Sequence, residues 1–348
     1  MTLHEYPDLA LVNGGGNSGL ARTIARNLGV NLTPCDIESH RDHEPRNGPA
    51  GNFRNKHAVI VTSMQQPDRN FIVPIIQADI IRRASPRRIT GIFTYYPYSR
   101  QDRHDQPRSA ITVKIPAKLH AKHFDEIAVF DCHSEVTPAL LEAYGDHHLA
   151  VDHLYSRELR LDWLLRDEGR LENATLMAMD TGYVKPVRSA CRRLRGAGHT
   201  VRYCFADKDG TSSVGIEGVL LASDGHIEET DVYGFDDMSA SGETAFMVSS
   251  AVRERHHPKS FTLFITHGVI PDAEAAHRLL DAPIDRIVVT DSVPMSEEAG
   301  RILAPKLVVE SCAPLFTAYA HASYHGLSIS RLFGLAGYRD ALQELGLR

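Results

Sequence analysis

At 348 residues the chain has the length of roughly two ordinary domains. Charged residues are 24% and apolar residues 43% of the total, the balance of a soluble globular protein. A formal net charge of −6 argues against general attraction to nucleic acid and leaves room only for a local cationic pocket. No apolar run approaches the length of a bilayer span, and MTLHEYPDLALVNGGG has no basic region ahead of a long apolar one. The expectation is a cytoplasmic protein without a membrane partner.

In chain order, Leu9 to Val12 reads as a short strand, then a Gly-rich turn, then an amphipathic helix near Leu20 to Leu28. Gly14-x-Gly16-x-x-Gly19 matches the dinucleotide fingerprint, but the acids at ribose-binding spacing, Asp36 and Glu38, follow Pro34-Cys35 rather than a clear second strand. Dinucleotide binding therefore ranks below the reading that follows. His40 to Asn55 is polar and rich in Arg, Gly and Pro, a loop or bent hairpin. His57 to Ser63 is a buried strand, Asn70 to Ala84 a helix, and Arg88 to Tyr95 the next strand. It runs into Tyr96 to His104, where aromatic residues precede Arg100, Gln101, Asp102 and Arg103. Rings and guanidinium forks together would suit a nucleotide, or a solvated charge cluster.

Ile111 to His123 predicts a helix and Glu126 to Phe130 a strand ending in Asp131-Cys132-His133. Asp131 and His133 would share one side of an extended segment, a geometry for a metal shell or a phosphate contact. Cys132 reads as a small apolar filler, and the five scattered cysteines, never in C-x-x-C, indicate neither a disulfide framework nor a zinc site. The boundary between two domains, 1–155 and 156–348, falls near Val151 to Leu161, where HLYSRELRLDWLLRDEG reads as a polar amphipathic helix joining them.

The second half repeats the alternation. Leu176 to Met179 ends in Asp180-Thr181-Gly182 ahead of a basic helix, and Thr200 to Phe205 leads to Asp207-Lys208-Asp209-Gly210. Gly218 to Ala222 follows, and Val232 to Asp237 ends in two adjacent acids. Phe261 to Thr266 precedes His267, and Arg286 to Val289 precedes Thr290-Asp291-Ser292. An isolated Asp-Asp after a strand is ordinarily a solvated turn. Recurrence of polar residues at strand ends describes parallel sheets with ligand crevices beyond their carboxyl ends. Asp236 and Asp237 would suit a Mg²⁺ shell or ribose hydroxyls, and the small residues after them an anion at a helix N-terminus.

From about Leu11 to Phe333 the chain resembles ribose-phosphate diphosphokinases, also called phosphoribosyl pyrophosphate synthetases. Asp36-Ile37-Glu38, Tyr98 to Arg103, Asp131-Cys132-His133, Met179 to Gly182, Asp207-Lys208, Asp236-Asp237-Met238, Thr266-His267 and Asp291 to Pro294 stand in the family's order. The resemblance implies an α/β protein of two phosphoribosyltransferase-like domains, each a mainly parallel sheet flanked by helices, with the active site between them. It implies transfer of the β,γ-diphosphoryl group of Mg-ATP to the C1 hydroxyl of ribose 5-phosphate. On it, Arg100, Gln101, Asp102 and Arg103 hold ATP, and Asp36 and Glu38 reach the adenine of a neighbouring subunit in a homo-oligomer, a dimer or hexamer. His133 and Asp180 take part in Mg²⁺ and phosphate binding, and Lys208 stabilises the charge on the transferred group. Asp236 and Asp237 hold the ribose hydroxyls, and Ser241, Gly242 and Thr244 the 5-phosphate.

Three positions depart from the family pattern. After Asp-Asp-Met the family usually continues Ile or Val, then Asp-Thr-Gly-Gly-Thr, whereas here Ala240 replaces a carboxylate and Glu243 brings a negative charge to a phosphate loop. Lys208 is followed by Asp209 and Gly210 instead of further cations, and Pro34 stands where Phe is usual. Three functions stay open: the family reaction on ribose 5-phosphate, the same chemistry on a larger ribose 5-phosphoester such as ADP-ribose, and a catalytically silent regulatory homologue. The retained Arg100, His133, Asp180 and Lys208 favour the first two.

Overall fold

A segment such as His57–Ser63, buried along its whole length, requires a sheet covered on both faces. In the computed structural model, which describes residues 6–34, 38–42, 44–46, 48, 51–104, 106–146, 148–166, 171–208, 219–223 and 225–347, such segments form two sheets of six and seven strands. The chain divides into two compact units, Met1–Glu158 with Cys312–Arg348, and Leu159–Ser311.

The first unit contains β1 (Leu9–Asn13), α1 (Ser18–Leu28), β2 (Leu32–Thr33), the small antiparallel pair β3 (Glu38–Ser39) and β4 (Pro45–Arg46), β5 (His57–Ser63), α2 (Arg69–Arg83) and β6 (Arg88–Tyr95). It continues through α3 (Lys114–His120), β7 (Glu126–Phe130), α4 (Val136–Tyr144) and β8 (Ala150–Leu154). Its six-stranded sheet has the order β2-β1-β5-β6-β7-β8 and is parallel throughout. α1 shows why such segments coil: Asn17 accepts the Leu20 N–H at 3.2 Å, Gly29 closes the helix in the left-handed region, and Leu20, Ala21, Ile24, Ala25 and Leu28 form one buried stripe.

Two sequence readings are corrected here. The joining helix is present but begins later than expected: His153 and Leu154 close β8, paired in parallel with β7, and α5 runs from Arg157 to Arg166. The residues from Cys312 onward, expected in the second domain, belong to the first unit. In α10 (Ala313–His325), Tyr319 donates to the Glu126 carboxylate at 2.7 Å and Thr317 accepts from Asn27 of α1 at 3.1 Å; α11 (Leu335–Glu344) follows. A buried carboxylate at the start of β7 draws the chain back, which no local pattern announces.

The second unit contains β9 (Ala174–Ala178), α6 (Val184–Gly196), β10 (Val201–Lys208), β11 (Val219–Ser223), β12 (Asp231–Met238), α7 (Glu243–His256), β13 (Ser260–His267), α8 (Ala273–Asp281), β14 (Arg286–Thr290), α9 (Glu297–Leu303) and β15 (Leu307–Glu310). The order is β11-β10-β9-β12-β13-β14-β15, parallel except for β11 against β10. The chain leaves β9 toward one edge and returns at β12 toward the other, so the strand order reverses between β9 and β12. That reversal is where open α/β sheets hold ligands.

Candidate active site

The reversal point of the second unit carries three of the expected site residues. Asp180, just beyond β9, accepts the Tyr183 N–H at 2.9 Å and caps a short 3₁₀ turn, Thr181–Tyr183. Beside it β12 ends in Asp236 and Asp237, both buried. Each carboxylate accepts the amide of the following residue, Asp237 at 2.9 Å and Met238 at 2.8 Å, which fixes the direction of the pair. Burial pushes the Asp236 pKa well above the carboxylate range, and the charges of Asp237 and then Asp180 push it further. Asp180, Asp236 and Asp237 thus stand close enough to act on one another's charge, in an acidic corner that hydroxyl donors would relieve.

From there the backbone turns through Ser239, Ala240 and Ser241 into Gly242, which sits in the left-handed region at φ 71° and precedes α7. A Cβ at Gly242 would stand 3.1 Å from the Ala275 carbonyl and from Leu279, so conformation and space both select glycine. Arg278 donates to the Ser241 carbonyl at 2.9 Å, pinning the loop to α8. Thr244 lies in the first turn of α7, and Glu243, the first helical residue, is exposed, where a carboxylate suits the positive end of the helix. At the next strand ends His267 pairs with Ser292 at 2.9 Å, and Ser292 accepts from Thr290 at 2.8 Å.

Lys208 is the last residue of β10, and its side chain lies outside the described part of the structure, as does Asp36 altogether; Glu38 is described only as a backbone position in β3. In the first unit, Arg100, Gln101, Asp102 and Arg103 occupy the loop beyond β6, with both arginines exposed and Thr112 donating to Gln101 at 3.4 Å. Among the described residues Arg100 has no ion-pair partner. Of the aromatic rings expected beside them, Tyr96 is buried in the core against His120, and Tyr98, held at φ 60°, donates its hydroxyl to Asp68.

The Asp131-Cys132-His133 segment departs from the alternation expected of it. Asp131 takes φ 41° and turns inward, where its carboxylate accepts the Ser156 hydroxyl at 2.6 Å; its role is structural, and His133 alone is exposed. Cys132 is a half-buried filler whose thiol is held well above its usual pKa by desolvation and then by the charges of Asp131 and Glu135. The loop is fastened from the side by His153, which accepts the Cys132 N–H at 3.1 Å and pairs with Glu135 at 3.1 Å.

The dinucleotide fingerprint is satisfied by packing instead of a ligand. Gly14 N–H donates to the Val61 carbonyl at 2.8 Å, Gly15 N–H to Asn13 Oδ1 at 3.1 Å, and Gln65 to the Gly16 carbonyl at 2.8 Å. Gly16 has φ 70°, and a Cβ there would lie 1.8 Å from the Ser63 carbonyl oxygen. The loop is folded down onto the end of β5.

One residue of the acidic corner was not visible in the sequence. Arg160 of α5 is 4% exposed, and its Nη2 donates to the Asp236 carbonyl at 2.8 Å and to the Thr266 hydroxyl. Its guanidinium carbon lies 4.8 Å from the ring centre of Tyr183, 5.0 Å from Phe264 and 5.5 Å from Phe235. In RELRLDWLLR an arginine three residues after another reads as a solvated face; its only signal is its place between Leu159 and Leu161.

Two mainly parallel sheets, each flanked by helices, one with its acids at the reversal of strand order, define a two-domain phosphoribosyltransferase-like α/β protein. Residues 9–123 match the family described as the N-terminal domain of ribose phosphate pyrophosphokinase. The chain is 29% identical over 325 residues to the ribose-phosphate pyrophosphokinase of Aquifex aeolicus, covering 93% of this chain and 98% of that protein. It is 29% identical over 330 residues to that of Rhodopirellula baltica, covering 94% and 98%. The crystal structure of phosphoribosylpyrophosphate synthetase from Mycobacterium smegmatis superposes with a TM-score of 0.78 at 25% identity over 92% of this chain and 99% of the other. Over nearly its whole length the chain is thus similar to proteins named ribose-phosphate pyrophosphokinase, and residues 9–123 carry the N-terminal domain of that family.

Proposed function

We propose that this enzyme transfers the β,γ-diphosphoryl group of ATP to the C1 hydroxyl of ribose 5-phosphate, giving phosphoribosyl pyrophosphate and AMP. The observation that carries the reading is the pair of buried, directionally fixed carboxylates Asp236 and Asp237 at the strand-order reversal, followed by a left-handed glycine and a helix N-terminus. That is a site for adjacent hydroxyls with an anion beyond them. The C1 hydroxyl oxygen bonds to the β-phosphorus, the bond from that phosphorus to the oxygen bridging the α-phosphate breaks, AMP leaves with the bridging oxygen, and the hydroxyl proton is lost.

In this proposal Asp236 and Asp237 accept the ribose hydroxyls, and Ser241, Gly242 and Thr244 receive the 5-phosphate. Arg100 and Arg103, with Gln101 and Asp102, orient ATP, and Asp36 and Glu38 complete the adenine site from a second copy of the chain. Lys208 faces the charge that builds on the transferred group; such transfer needs cations and alignment more than a protein nucleophile. Mg²⁺ suits the hard carboxylate oxygens of Asp180. Among the described residues no three His, Cys, Asp or Glu side chains are gathered to hold a metal, so the fit is to an ion bound by one or two side chains, with water and phosphate oxygens completing its shell. Asp180 and His133 would hold it, and it would supply neutralisation of the phosphate charge.

A second reading rests on Glu243. An exposed carboxylate at the first position of α7 opposes a 5-phosphate monoester and tolerates a larger 5-phosphoester such as ADP-ribose. The deciding experiment offers ribose 5-phosphate and ADP-ribose separately with Mg-ATP, follows AMP release, and weighs the diphosphorylated product. AMP with ribose 5-phosphate supports the first reading and AMP only with ADP-ribose the second. AMP with neither would overturn both.

A further inference from the structure

The acidic corner is built from three separate chain segments, and Arg160 is the group they share. Tyr183 closes the turn that Asp180 opens, Phe235 immediately precedes Asp236, and Phe264 stands two residues before Thr266 on β13; all three rings surround the guanidinium. The same guanidinium ties the ends of β12 and β13 together through the Asp236 carbonyl and the Thr266 hydroxyl. Burying a permanently charged group is costly unless its N–H donors are used and its faces are covered. A residue that only filled this space would be aliphatic.

We propose that Arg160 is a positioning residue of the acceptor site, holding the Asp236 carbonyl so that the Asp236 and Asp237 carboxylates face the hydroxyls of the sugar. It touches no substrate itself. The inference rests on the reading of Asp236 and Asp237 as the hydroxyl-binding pair, and it adds the group that sets their direction. The planar fork matters as well as the charge: lysine can meet one acceptor but cannot stack against three rings while bonding two oxygens.

The test uses the full-length Arg160→Met, Arg160→Lys and Thr266→Val variants. Thr266→Val removes the hydroxyl to which Arg160 donates and guards against an Arg160 variant that does not fold. Amide hydrogen exchange is measured first, without substrate. The amides of Asp237 and Met238 report directly on the pair because they are bonded to its carboxylates. We expect these two amides to exchange at least ~10-fold faster in Arg160→Met, with Thr266→Val intermediate and β14 unchanged. Unchanged exchange, or an equal rise throughout the second unit, would overturn the positioning role whatever the enzyme's substrate proves to be.

Kinetics follow with the acceptor identified for the wild type. The KM for that acceptor should rise ~10- to 100-fold in Arg160→Met with the KM for ATP within about twofold, and Arg160→Lys should recover part of the loss. Equal rises in both KM values, or none, would overturn it. A wild type inactive on every ribose phosphoester would instead refute the proposed reaction, and the exchange data would still decide the role of Arg160.

Discussion

At the residue scale, Asp236 concentrates the conflict between stability and function. Its pKa lies well above the carboxylate range because it is buried and then because Asp237 and Asp180 repel its charge. The native state therefore holds a proton that the unfolded chain, ionising near pH ~4, has released, and stability falls as pH rises above that value. Asp236→Asn removes this penalty. The ligand-free variant should melt at a higher temperature than wild type at about pH 8, with the gain shrinking toward pH ~4, and should not turn over. A melting temperature below wild type across the whole range would refute the account of Asp236. In the proposed reaction Lys208 makes the opposite kind of contribution, an interaction realised mainly in the transition state. Lys208→Ala should lower kcat by ~10²- to 10³-fold and leave ATP binding, read by equilibrium titration, within a few-fold. Wild-type turnover would remove Lys208 from the mechanism.

At the scale of elements, the proposed reaction gives the loop from Ser239 to Thr244 the choice of sugar phosphate. Its backbone turns through a left-handed Gly242 at the helix N-cap, while its side chains place Ala240 and an exposed Glu243 where the family pattern has carboxylate and glycine. Ala240→Asp with Glu243→Gly moves the carboxylate from the first residue of α7 to the position of the family pattern and should raise kcat/KM for ribose 5-phosphate by ~10-fold. An unchanged preference between ribose 5-phosphate and ADP-ribose would separate the loop from specificity. Much of this was legible beforehand because β5, β9, β12 and β13 are continuous apolar runs that end abruptly in polar residues. β8 was not: Asp152 and His153 give it the look of a solvated helix, and only pairing with β7 at the sheet edge makes it a strand. Arg160 was hidden for a related reason, since its aromatic surroundings come from Tyr183, Phe235 and Phe264, far away in sequence.

At the scale of the whole molecule, the first unit depends on both ends of the chain. Glu126, buried at the start of β7, accepts from Tyr319 and Ser323 of α10, each at 2.7 Å, and from Thr90 at 3.1 Å, and pairs with Arg88 at 3.2 Å. Tyr319→Phe should cost about 1–3 kcal/mol in denaturant unfolding, the range for a bond to a buried charged group, and an unchanged midpoint would show that α10 is held by packing alone. The same network reaches His57, whose Nε2 lies 2.7 Å from Thr90 Oγ1. Burial, opposed by Glu126 and aided by Arg88 and Arg87, lowers the His57 pKa to about 4. His120, buried between the Tyr96 hydroxyl and the Phe71 carbonyl, is lowered to about 4 by burial as well. Both histidines are neutral in the native state and take up protons on unfolding below their ordinary pKa of 6.5. Their contribution to stability is fully present above pH 6.5 and is lost as pH falls from there toward about 4, by at most roughly 3 kcal/mol for each. Unfolding midpoints measured from about pH 8 down to pH 4 should therefore fall more steeply for wild type than for a variant carrying His57→Gln and His120→Gln, because the carboxylates titrate alike in both. Parallel curves would mean that these two buried rings do not set the acid limit of the fold.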